Sequence, residues 1–199
     1  RKGSPLFYVF IATFFTLLLI LFSHAFSQRE LRAELPPEFL LARRDASSVS
    51  KEIVVLTDSV NKAIRTMNLL DVAEQRPKAV GIVNQAKTDI ASASSRAFEL
   101  SRHLERMTQS LASLPSASVQ RLAYTAIATE LSLVSEFLTY TEHLNAFLQS
   151  IERSFAARST LKEQEAIGKA LGEVNESAKT INRLNDEFLA KMRVFDTSF

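Results

Sequence analysis

The sequence predicts an all-α protein, an N-terminal transmembrane helix followed by an antiparallel up-down-up-down four-helix bundle with heptad packing. Three observations predict it. Residues 3–28 contain no Asp, Glu, Lys or Arg. Breaks recur roughly 40 residues apart, at Pro36-Pro37, Pro77, Pro115 and Arg158-Ser159-Thr160. Between the breaks, apolar residues return at alternating steps of three and four, the pattern of helices packed along a seam. Four glycines, no cysteine and no tryptophan in 199 residues fit the same class. They exclude a disulfide framework, thiolate chemistry and turn-rich β-folds.

Residues 1–28 form the predicted anchor. From Pro5 to Phe22 only Thr13 and Thr16 are polar, and a helical threonine hydroxyl can bond back to a carbonyl one turn earlier. Roughly 20 residues at about 1.5 Å each cross a hydrocarbon core. Leu6, Phe7, Phe10, Phe14, Phe15, Leu18, Leu21 and Phe22 are the side chains expected to face lipid. The apolar run exceeds the length of a signal-peptide core. Two other readings compete: a cleaved signal peptide, with small residues at Ser23 and Ala25, and a pilin-like polymerisation helix after Arg1-Lys2-Gly3.

Residues 29–37 read as a juxtamembrane linker. Arg29, Arg32, Arg43 and Arg44 are the basic side chains expected beside the span, interleaved with Glu30, Glu34, Glu38 and Asp45. Such arginines anchor a helix at the lipid interface. Residues 1–28 hold two of the 24 basic side chains and none of the 22 acidic ones, so the remainder is formally neutral. A nucleic-acid partner needs a clustered basic excess and is not expected.

The bundle is assigned to residues 38–199, with helices at about 38–74, 78–113, 117–156 and 161–195. Proline suits a first helical turn, where its missing N–H and fixed φ do no harm. The first seam runs Phe39, Ala42, Ala46, Val49, Ile53, Leu56, Val60, Ala63, Met67, Leu70, and the second Val83, Ala86, Ile90, Ala93, Ala97, Leu100, Leu104, Met107, Leu111, Leu114. The third helix carries two apolar stripes, one through Leu133, Phe137, Tyr140, Leu144 and Phe147, the other through Ile127, Val134, Leu138 and Leu148. The fourth carries Leu171, Val174, Ala178, Ile181, Phe188, Met192 and Phe195. With turns centred near 76, 115 and 159, Val60, Ala93, Phe137 and Ile181 should share one layer.

Chemistry-bearing patterns are sparse. His103 and His143 fall beside the seams and read as surface or rim residues, and no metal-ligand spacing occurs, so no catalytic residue, metal or cofactor is expected. Glu130 and Asn185 occupy seam positions that call for apolar side chains, which makes them candidates for a polar core that sets register. The alternative is a polar pocket for a small ligand. Asn175-Glu176-Ser177 matches a glycosylation acceptor pattern.

A span followed by four long helices resembles the sensory ectodomain of bacterial chemoreceptors and related transmembrane sensors. That resemblance implies a ligand-binding bundle that signals through the membrane. The residues themselves favour a non-enzymatic, single-pass structural or assembly subunit of a larger membrane complex or filament, with the bundle on the extracytoplasmic side. Expected partners are the lipid bilayer and other protein subunits, with a homo-oligomer the alternative use of the same helix faces.

Overall fold

The computed structural model describes residues 35–70, 72–156 and 161–198. The predicted span and Arg29 and Arg32 lie outside the described residues. Among the described residues there is no strand, and no helix is long and apolar enough to cross a membrane.

Four long helices carry the fold: α1 Pro37–Leu69, α2 Val72–Gln109, α3 Ala117–Ala156 and α4 Leu161–Asp196. Pro36 precedes α1 in an extended conformation (φ −57°, ψ 137°) and Pro37 fills its first turn, with Glu38 at the positive end of the helix dipole. α1 stops at Leu69, five residues short of the expected end. Leu70 turns extended while its N–H donates to the Met67 carbonyl at 3.2 Å. No glycine or proline signals that stop. The break expected at Pro77 survives as a kink inside α2, where Gln75 leaves the helical region (φ −115°, ψ 28°). Proline crowds the carbonyl four residues back and disfavours helical geometry in the residue before it.

At the next turn, Leu111–Ser113 tighten into a 3-10 turn, and Leu114 is extended before Pro115 as proline demands of its predecessor. The Ser116 hydroxyl accepts from the Val119 N–H at 3.3 Å, which starts α3.

Sequential helices pack against one another along their length, and one buried core draws on all four. Every second-seam residue from Val83 to Met107 is buried, and Leu114 with them. Phe39, Tyr140, Phe147 and Phe195 are the largest fully enclosed rings. Each such side chain contributes about 1.5–3 kcal/mol by leaving water. α1 and α4 scarcely approach each other's backbones. They meet through side chains at one end, where the Phe39 and Phe195 ring centroids are 5.7 Å apart.

Polar contacts fix the register. Asp45, Glu52 and Ser59 on α1 meet His103, Arg96 and Asp89 on α2, in steps of seven on both helices. Val60 therefore stands level with residue 88, and Ala93 lies about one turn away from it, which corrects the expected layer. The cause is the early end of α1, which moves the centre of the first turn. Ser94 donates to the Thr141 hydroxyl at 2.9 Å, so the small-residue stretch 91–95 sits beside Tyr140-Thr141. Lys191 reaches Thr129 at 2.6 Å and His143 faces Ser177 at 3.1 Å, which fixes α3 against α4.

Candidate functional site

The two flanks of α1 differ in purpose. The flank at 45, 52 and 59 bonds to α2, as above. The opposite flank carries Arg43, Ser50, Thr57 and Ile64 at seven-residue spacing, all buried, and Arg43 shows that it faces α4. Helical spacing thus separates an exposed ionic edge from a buried, mostly polar one.

Arg43 is the functional side chain placed most clearly. Its Nη1 donates to Asp196 Oδ1 at 2.8 Å and its Nη2 to Oδ2 at 3.0 Å, a two-point clasp between the start of α1 and the end of α4. The guanidinium carbon lies 5.9 Å from the centroid of the Phe195 ring. Planar two-point pairing and stacking on a ring are what arginine supplies and lysine does not. Arg44, its neighbour, is exposed and lies 3.9 Å from Asp45. Arg43 therefore points into the bundle while Arg44 points out.

Glu130 and Asn185 are both enclosed by the core, at 0% and 1% exposure. Neither carboxylate oxygen of Glu130 and neither amide atom of Asn185 has a hydrogen-bond partner among the described residues. Burial in that apolar setting pushes the Glu130 carboxyl up to about 8, so it is mostly neutral at pH 7. Ser50 Oγ and both side-chain atoms of Asn61, on the α4-facing side of α1, are likewise enclosed without partners. The sequence gives a signal for this row only through its seven-residue spacing from Arg43, because serine, threonine and asparagine on a flank otherwise read as solvated.

Both histidines are more committed than rim positions suggest. His103 is 9% exposed, with Asp45 Oδ2 4.0 Å from Nδ1 and Glu99 Oε1 4.0 Å from Nε2. It packs against α1 because its position is in step with Arg96 and Asp89 on the α1-facing flank of α2. Glu99 also accepts from Arg96 at 2.5 Å, and this bond, helped by Glu52, holds the Arg96 proton more tightly than usual. His143 is half-buried against Ser177. Ser177 is buried, so the hydroxyl of the Asn175-Glu176-Ser177 pattern is turned into the α3–α4 contact. Asp89, also buried, accepts from Ser59 at 2.6 Å and Gln85 at 2.9 Å.

No cluster of three or more potential metal ligands occurs among the described residues. An open groove between α1 and α2 is lined by Ser48, Lys51, Glu52, Val55, Leu56 and Arg96. The fold thus defines an all-α protein of four long helices with a partly polar interior. No family model, no curated protein and no solved structure matches the chain.

Proposed function

We propose that the chain is a non-enzymatic, single-pass membrane protein whose helical bundle acts as a structural or assembly subunit of a larger membrane-associated complex or filament. The observation that carries the proposal is the 26-residue uncharged run, Gly3 to Gln28, placed directly before a helical bundle. Such a run is long enough to cross a bilayer as one helix. The bundle's core is satisfied mainly by its own apolar seams, while Val55, Phe98, Tyr124 and Val194 stand exposed on outer faces where protein partners can cover them. Arg29, Arg32 and Arg44 then serve the lipid interface, and the bundle lies on the extracytoplasmic side.

A second function, an extracytoplasmic sensor or ligand-binding ectodomain, is favoured by the partnerless polar atoms of Glu130 and Asn185 inside the bundle. Purification of the full chain from native membranes in mild detergent separates the two. A stoichiometric complex with other membrane subunits is expected. A lone dimer that responds to a small molecule would overturn the assembly role in favour of sensing.

A further inference from the structure

Two titratable side chains share one level of the bundle. The Lys191–Thr129 bond sets Glu130 level with residue 190 of α4, and the Ser94–Thr141 bond sets it level with residue 105 of α2. His103 is therefore within about one helical turn of Glu130 along the axis. Glu130 has no partner for either oxygen, and His103 has none for Nδ1.

Neighbouring charges leave these two groups to the proton. On α1, Arg43 is held by Asp196; on α4, Lys191 donates to Thr129; neither bonds to Glu130. On α2, Arg106 is exposed. Around His103, α1 offers Asp45, itself 3.9 Å from Arg44, and α2 offers Glu99, itself bonded to Arg96. The flank of α3 in step with Thr141 presents Val134 and Ile127, which are apolar, so Glu130 is the ionisable group α3 brings to this level.

We propose that this level is a proton-operated clasp: the bundle is tight when Glu130 is neutral and His103 carries two protons, and it loosens as rising pH removes them. Neutral Glu130 leaves no charge in the apolar seam. A doubly protonated His103 turns one N–H toward a carboxylate on α1 and the other toward a carboxylate on its own helix, which ties α1 to α2.

The signs agree. The Glu130 carboxyl, pushed up to about 8 by burial, keeps its proton in the folded chain where the unfolded chain loses it near 4.5. Stability is therefore complete below that lower value, falls as pH rises through the window, and is level above about 8. Histidine ordinarily changes charge between pH 5 and 8. Ion pairs formed only by its cationic form are likewise lost as pH rises.

The test is urea unfolding of the full chain in non-ionic detergent, followed by helical circular dichroism from pH 5 to 9, with Glu130→Gln and His103→Gln. In the wild type, the unfolding constant is expected to rise by close to tenfold per pH unit between pH 5.5 and 7.5, the limit for one linked proton. Glu130→Gln is expected to remove most of that slope, and His103→Gln a smaller part centred near neutrality. A flat wild-type profile, or a Glu130→Gln profile as steep as the wild type, would overturn the clasp. Should Glu130→Gln fail to fold, infrared spectra of the wild type decide. A protonated-carboxyl C=O band that persists at pH 6.5 and fades by pH 9 is expected, and its absence at pH 6.5 would overturn the proposal.

Discussion

Replacing Asn185 by leucine should stabilise the bundle. The side chain is 1% exposed in the α4 seam, between Ile181 and Phe188, and neither its N–H2 nor its carbonyl has a partner. An enclosed amide group without a hydrogen bond costs roughly 1–3 kcal/mol by comparison with its hydrated state. Leucine removes two such groups and adds apolar contact, offset in part by the strain of a different shape in a packed interior. The net expectation is roughly 2–4 kcal/mol of added stability. With a urea dependence of about 2 kcal/mol per molar, the midpoint should rise by about 1–2 M. The assay is urea unfolding at pH 6, with Asn182→Leu as the control, because Asn182 is half-exposed one turn away and should shift the midpoint little. An unchanged or lowered midpoint for Asn185→Leu would refute the reasoning, since it would mean that the amide is satisfied inside the native bundle.

Other outcomes follow from the same contacts. Arg43→Ala strands Asp196 and removes the clasp, and should lower stability by about 2–4 kcal/mol, while Arg43→Met with Asp196→Leu should recover most of the loss; thermal unfolding of the three proteins checks both. Phe195→Ala opens a hole at the fully enclosed α1–α4 contact and should cost about 3–5 kcal/mol by the same assay. Gly168→Ala and Gly172→Ala should each stabilise by about 0.5–1 kcal/mol, because both are helical and an added Cβ meets nothing within 4 Å.

Much of the fold is legible in the residue pattern, because a core that repeats every three to four residues leaves little freedom in what each helix buries. The second seam is the clearest case. Its positions from Val83 to Met107 alternate in steps of three and four, and all are enclosed. The seam positions of Glu130 and Asn185 follow from the same period, which is why polar side chains there can be singled out without coordinates. Helix ends are harder to read. The stop at Leu69 carries no breaker, and Pro77 is compatible with a kink in a continuing helix as well as with a fresh start. A shift of one turn at that end was enough to move Val60 out of register with Ala93.

Interhelical partners are less legible still. Arg43 and Arg44 are adjacent arginines after an apolar run, and composition treats them alike. The helical rotation of about 100° between them sends one to Asp196 and the other to solvent. His103 is similar: its burial depends on which flank of α2 meets α1, and that is set by three contacts spread over fourteen residues. Features that depend on one helix alone can be read from the chain, whereas those that depend on the angle between two helices need the fold.

The central claim is that residues 1–28 hold the bundle to a bilayer. Alkaline carbonate extraction of native membranes tests it most directly, because that treatment releases peripheral proteins and leaves spanning ones in the pellet. The full chain is predicted to remain with the membranes, and a variant with Phe14→Asp and Leu18→Asp, or one lacking residues 1–28, to appear in the supernatant. Release of the unaltered chain into the supernatant would contradict the claim.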